Sequence, residues 1–380
     1  MKPYKVWMVA GAIGAVVVPT AVVAGPAAAA PRAAGSVAQV LPPLPGDTGA
    51  GASLMNDAGQ VVGFSRNRDG SRPVRWEPDL TPTRLGLLEG GTQANPRTIV
   101  ADGSIAGEAE AADSTWHPVT WGPTAAIRQL REPAGYVNGS AEDLNDDGVA
   151  VGTVSDNRVS RAVRWNREGQ PELLPVEANM RYSQARFVDR QGNAYGWMGY
   201  DATDRITVRW DRSGNITRLD APGSRLSELR DVNDRGTAAG TSVTGDTWLA
   251  ALALPGRTFA PLPGAQHQSA VMDVNNADAA LGYVNGTATR WEGGEMVRLR
   301  PLPDATTTQV RSLRDALNDA GTATGSSGKY AVTWDADGRP SKLPVAPDVQ
   351  SSYGLVINGP GQVLGYVDTW SAYGVPVVWR

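Results

Sequence analysis

The sequence predicts an all-β fold, a β-propeller of eight four-stranded blades whose last blade is closed by the N-terminal strand. Three observations predict it. A glycine-ruled unit recurs eight times at spacings of 40–45 residues, each copy reads as short strands split by turns, and the two ends of the repeat array complement each other.

The unit is first met as Ser53-Leu-Met-Asn-Asp-Ala-Gly59-Gln-Val-Val-Gly63, running on to Pro73-Val-Arg-Trp76. Its second glycine recurs as Gly107, Gly152, Gly196, Gly240, Gly282, Gly325 and Gly365. Four residues earlier stands Gly59, Gly103, Gly148, Gly192, Gly236, Gly321 or Gly361, with Asp278 in the sixth copy. Asparagine precedes that turn glycine at Asn56, Asn145, Asn233, Asn275, Asn318 and Asn358, and Asp189 replaces it in copy four. Copy two, Val100-Ala-Asp-Gly103, has valine in the asparagine's place. Each copy closes on an aromatic, Trp76, Trp121, Trp165, Trp210, Trp291, Trp334 or Trp379, with Leu254 expected in that place in copy five.

Within a copy, Asn, Asp and Gly supply the residues that tolerate the positive φ of a tight hairpin. Gln60–Ser65 follows as a second strand, Pro73–Trp76 as a third and Thr83–Leu88 as a fourth. The last copy stops after its third strand at Trp379-Arg380, while Ala38-Gln-Val-Leu-Pro-Pro-Leu44 reads as a fourth strand with no copy of its own. The N-terminal strand is therefore expected to complete the last blade and close the ring.

The strand order resembles a WD40-type blade. Leu44-Pro-Gly46, the Asn-Asp/Asn-x-Gly turn, Val-Val-Gly-Phe-Ser65 and the Ala-Val-x-Trp strands ending at Trp165 and Trp334 also resemble the HAF-type extracellular-repeat family over nearly the whole mature chain. Its His-Ala-Phe tripeptide is degenerate, His117-Pro-Val119 being the nearest copy. The resemblance implies a secreted β-propeller-like protein without an established general activity.

Upstream of the array, Lys2 and Lys5 precede an apolar run from Val6 to Ala24 and an alanine-rich exit. This predicts a Sec-type signal peptide over residues 1–29, a flexible segment over 30–37 and a single propeller domain over 38–380, secreted and extracellular. Retention of the run as an anchor is the alternative. The chain has no cysteine, which excludes disulfides and thiolate metal sites. It has two histidines, which leaves no multi-histidine metal centre. The net charge is −4, which gives no footprint for nucleic acid. No cofactor or metal is expected, the partner is an unknown extracellular ligand or protein, no membrane is engaged after signal cleavage, and the protein is expected to be a monomer.

The Asp143-Leu-Asn-Asp-Asp-Gly148 segment matches half of a calcium loop, but position twelve is Val154 where a bidentate Glu is needed, so it reads as a hairpin turn. The regular tryptophans read as packing between blades and the arginines before them, Arg75, Arg164, Arg209 and Arg290, as solvated or inter-blade polar contacts. Irregular residues are the better functional candidates. The second-to-third and fourth-to-first connections share one end of the ring, and binding groups concentrate on loops held by a rigid scaffold. These loops carry Trp116, Tyr136, Arg181, Tyr182, Tyr200, His267, Tyr353, Trp370 and Tyr373, with Glu108, Glu110, Asp113, Asp201 and Asp204. No nucleophile elbow or phosphate loop is present. The expected function is a binding module for a glycan, small molecule or protein on this face; the alternative is a lyase or glycosidase using loop carboxylates and His267.

Overall fold

The computed structural model describes residues 38–380 except 202, 203, 224, 225 and 313, so the expected signal peptide and the 30–37 segment lie outside the described residues. The described residues form 32 strands in eight four-stranded antiparallel sheets, each with its strands in sequential order from the innermost outward. In blade 1 these are Gly49–Met55, Val61–Asn67, Gly70–Trp76 and Pro82–Arg84. The eighth sheet is the exception in chain order. Its outer strand is Gln39–Val40, which pairs with Val378 and Val377 of the last strand. Leu41, fully buried, extends the pairing by donating its backbone N–H to Pro376 at 3.0 Å. The N-terminal strand thus closes the ring, as the sequence predicts.

Both recurring glycines have a physical cause. Every turn glycine of the repeat, from Gly59 to Gly361, has φ between +78° and +85°, and Asp278 adopts +61° in its place. The strand glycines sit against a bulge in the inner strand, where the register slips by one residue at Ala52/Leu54, Ala185/Phe187, Leu229/Asp231 and their counterparts. A Cβ at Gly63 would lie 2.1 Å from the Gly51 carbonyl oxygen, and one at Gly196 1.9 Å from that of Gln184. Only glycine fits beneath the bulge, and in blades 2 to 5 the residue at the bulge is a charged one, Arg97, Glu142, Arg186 or Arg230.

There is no single core. Eight apolar clusters each fill one blade junction, from Leu41, Met55 and Trp76 between blades 8 and 1 to Ile357 and Trp379 between blades 7 and 8. The seven ladder tryptophans are fully buried, and each indole N–H donates to a backbone carbonyl of the preceding blade's outer segment, as Trp121 does to Gly86 at 2.8 Å and Trp210 to Pro175 at 2.8 Å. Trp76 reaches Pro42 at 2.7 Å and so clasps the closing strand. The preceding arginines bolt blades from the other side of the strand: Arg75 donates to Gly103 and Pro123 carbonyls, and Arg164 to those of Gly192, Asp211 and Arg212.

Copy five corrects one expectation. Ala253, not Leu254, occupies the tryptophan's register position opposite Ala238, and Leu254 is half exposed. The vacated volume is filled by Phe259, buried with Phe187, Tyr195 and Ala253.

The turn asparagines form a belt at the opposite end of the ring from the loops. Asn233 donates its side-chain amide to the Asn275 carbonyl at 2.8 Å, Asn275 to Asn318 at 2.9 Å, Asn318 to Asn358 at 3.1 Å and Asn358 to Asn56 at 3.2 Å, which crosses the closure. Asn56 and Asn145 do the same toward Val100 and Asp189. Each asparagine therefore builds its own turn and ties its blade to the next.

Candidate functional site

The axis is blocked. Blade 7 has an inner strand of two residues, Thr308–Gln309, and the chain then leaves the sheet before re-pairing at Leu317 with Ala323. This excursion carries Arg314 into the channel. Its guanidinium lies 3.1 Å from Asp231 of blade 5, 3.7 Å from Asp143 of blade 3, and 4.8 Å from the centre of the Phe187 ring of blade 4. Asp143 and Asp231 in turn accept the backbone N–H of Val188 and Val274 of the following blades. Burial pushes the carboxyls of Asp143, Asp273 and Asp315 above their ordinary range, while Arg314 pulls Asp143 and Asp315 back. The Asp143–Gly148 segment is a hairpin turn in which Asn145 accepts from Val149 and Asp146 from Ala101, so its polar groups serve the turn and neighbouring blades.

Above the plug the loop face opens into a funnel. The bulge residues Arg97, Glu142, Arg186 and Arg230 stand on its wall, with Glu228 two residues before Arg230. Arg97 pairs with Glu108 at 2.9 Å and Arg230 with Glu228 at 2.7 Å. Two depressions lead outward from this wall on either side of Glu228. The larger, a cleft of about 370 Å³ between blades 5 and 6, is lined by Glu228, Arg230, Thr241, Trp248, His267, Gln268, Ser269, Ala270 and Tyr283. Its neighbour between blades 4 and 5 has about 90 Å³.

The cleft owes its shape to local sequence. The second-to-third hairpin of blade 5 turns at Gly245, φ +59°, and brings Trp248 up at the start of the third strand. Ser269 receives the Ala250 N–H and donates to the Gln266 carbonyl, which fixes the loop that presents His267. Trp248 is 46% exposed and Tyr283 39%, and both line the cleft beside the Arg230–Glu228 pair. An aromatic wall, an imidazole and a fixed ion pair around one cleft can stack a ring and orient its polar groups.

The predicted site residues are distributed around the whole loop face. His267 lines the cleft. Trp116 is half-buried at the start of the third strand of blade 2, while Tyr136 packs into the junction of blades 2 and 3. Arg181 lies over the Tyr182 ring at 5.9 Å, and Tyr182 donates to the Arg158 carbonyl. Tyr200, Trp370 and Tyr373 are exposed, the latter two by more than 80%. Tyr353 lies within the inner strand Val349–Ile357, stacked on Tyr366 at 5.4 Å with Arg311 over it at 4.7 Å. The Tyr366 hydroxyl bonds both backbone groups of Ala52, so this pair fastens blade 8 to blade 1. The loop carboxylates serve locally: Glu108 holds Arg97, Glu110 accepts from Thr92, Asp113 from Thr115 and Asp201 from Asp204. His117 is held between Glu132 and Thr115. Sequence reasoning missed Trp248, Tyr283, Glu228 and Arg230. A signal existed. For Tyr283 it is the position after each strand glycine, which carries Phe64, Glu108, Thr153, Trp197, Thr241, Tyr283, Ser326 or Tyr366 and so varies beside an invariant residue.

No family model and no curated protein sequence matches the chain. Solved structures do resemble it. Dipeptidyl peptidase 4 of Porphyromonas gingivalis is 11% identical with a TM-score of 0.58 over 88% of this chain and 58% of that one. Virginiamycin B lyase of Staphylococcus aureus is 14% identical with a TM-score of 0.42, over 81% of this chain and 99% of that one. This chain thus spans little more than half the length of the peptidase. At 11% identity the likeness to the peptidase is one of fold alone, and the class it supports is the β-propeller.

Proposed function

We propose that this protein is a secreted binding module of the HAF-type extracellular-repeat kind, whose ligand lies in the loop-face cleft between blades 5 and 6. The observation that carries the reading is the pair of solvent-open rings, Trp248 and Tyr283, facing His267 and the Arg230–Glu228 ion pair around about 370 Å³. Large apolar rings are normally buried, and two left open around a polar-lined cleft favour ring stacking with a saccharide or aromatic ligand. Of the remaining predicted residues, Tyr200 and Tyr373 are exposed enough for a longer ligand or a protein to touch.

The test is a glycan array followed by titration of the strongest binder against Trp248→Ala, His267→Ala and Tyr283→Ala. Loss of about tenfold or more in affinity for Trp248→Ala is expected, with unchanged melting temperature. Full affinity in all three variants would remove the cleft from consideration. One feature favours a second reading: His267 and Glu228 line the same cleft, residue types that serve as an acid–base pair. Turnover of a polysaccharide or lactone panel, abolished by Glu228→Gln and His267→Ala, would establish it.

A further inference from the structure

We propose that the smaller recess between blades 4 and 5 is an anion subsite, which seats the carboxylate of an acidic saccharide lying in the neighbouring cleft. The inference rests on the binding reading above and narrows its ligand.

The recess has about 90 Å³, the share of roughly three waters at ~30 Å³ each, and is lined by Gln184, Arg186, Trp197, Arg205, Thr207 and Glu228. That is room for one carboxylate or small oxyanion. Its arginines differ from the others on the funnel wall. Arg97, Arg230 and Arg314 each hold a carboxylate. Arg186 and Arg205 make no hydrogen bond or ion pair with any described residue. Both are nonetheless held in place: Arg205 lies over the Trp197 ring at 5.5 Å, and Arg186 over Phe187 at 5.5 Å. Trp197 is fixed in turn by donating its indole N–H to the Gln184 side-chain oxygen at 3.0 Å. Two planar donor forks are therefore pre-oriented on one recess without an acceptor between them, an arrangement suited to bidentate carboxylate binding.

The surrounding charges leave the recess receptive. Glu228, at its edge, is taken by Arg230 at 2.7 Å, and Glu142 accepts from Ser140 at 2.6 Å. Burial lowers the Arg186 guanidinium, and Arg314 and Arg230 act the same way against Glu142 and Glu228. A bound anion would offset the repulsion from Arg314 and Arg230. Because Glu228 borders both depressions, an anion on Arg186 and Arg205 is attached to whatever stacks on Trp248 and Tyr283 next door. A sugar ring bearing a carboxylate, as in a uronate-containing oligosaccharide, fits that order of groups.

The experiment is calorimetric titration of the full mature chain with galacturonate oligomers, with neutral oligosaccharides of equal length and with inorganic sulfate. Galacturonate oligomers should bind with an affinity that falls with salt. Arg186→Gln and Arg205→Gln should each weaken them about tenfold and flatten that salt dependence, while leaving neutral sugars unaffected. Equal affinity of these variants and the unchanged protein for galacturonate would overturn the proposal, as would absence of any response to both galacturonate and sulfate. A sulfate response lost in Arg186→Gln without galacturonate binding would overturn the saccharide as ligand. Trp248→Ala separates the two readings. Loss of galacturonate binding in the arginine variants but not in Trp248→Ala would sink the cleft and leave the anion subsite, and the reverse would sink the subsite alone.

Discussion

Asp234 shows how single side chains carry the conflict between the ring's geometry and its charge. Burial pushes its carboxyl up to about 6, Asp146 and Asp319 push the same way, and the amide of Asn276 opposes them. A carboxyl raised in the fold binds its proton more tightly there than in the unfolded chain. Its unfavourable contribution is therefore absent below about pH 3.8, grows as the pH climbs to about 6 and stays constant above that. Asp234→Asn should raise stability at pH 7.5 by up to ~3 kcal/mol, the ceiling set by a shift of about two pH units, and by nothing near pH 3.5. Denaturant melts at the two pH values check this; a gain that persists at pH 3.5 would assign it to another cause. The sequence shows an Asn-Asp turn here and in three other copies. It does not show that these carboxylates meet around an axis, because that depends on the ring's closure and radius.

Among the elements, the inner strand of each blade is shaped by one glycine on the strand beside it. With the Gln184 carbonyl 1.9 Å from where a Cβ would stand, Gly196→Ala has to flatten the bulge or push the two strands apart. A loss of about 1–3 kcal/mol or more is expected, and because the bulge aims Arg186 at the recess, anion binding should weaken with it. A fully stable Gly196→Ala protein would mean the bulge relaxes freely. The glycine ruler, the turns, the four strands and seven indole positions were legible in the sequence because each repeats a local chemical requirement. Copy five was misread by one residue, because Ala253 carries no mark of the register it holds and Phe259 fills the gap from six residues on. The excursion in blade 7 was invisible for the opposite reason. It is an insertion into the inner strand of one copy, and only the assembled ring shows that Arg314 crosses to Asp231 and Asp143.

For the whole molecule, stability resides in eight junctions of similar construction, each an apolar cluster with an indole clasp or its replacement, and an asparagine tie at six of them. Such a ring has no terminal unit to fray as long as its last sheet is complete. Removing residues 38–44 exposes the edge of Val375–Trp379, takes Leu41 from its cluster and leaves the Trp76 indole N–H without its acceptor. Buried removal of one large apolar side chain alone costs about 2–5 kcal/mol, so a marked drop in melting temperature and a tendency to associate through the open edge are expected. A melting temperature within a degree or two of the full ring would show that the closing strand is dispensable. The loop-face site was legible only as a face, since His267 can be named from sequence but its companions Trp248, Tyr283, Glu228 and Arg230 come from two different blades.

The pairing of Gln39 with Val378 also sets a timetable. Each blade from the first to the seventh can form from neighbouring sequence as it emerges, but the eighth must wait for a strand made about 340 residues earlier. At about 5–20 residues per second that interval is roughly 20–70 s, far longer than a hairpin needs to form. Throughout it Gln39–Val40 has no strand to pair with, although Pro42 and the Trp76 indole are already made, so the last step of folding is the capture of that strand by Val375–Trp379.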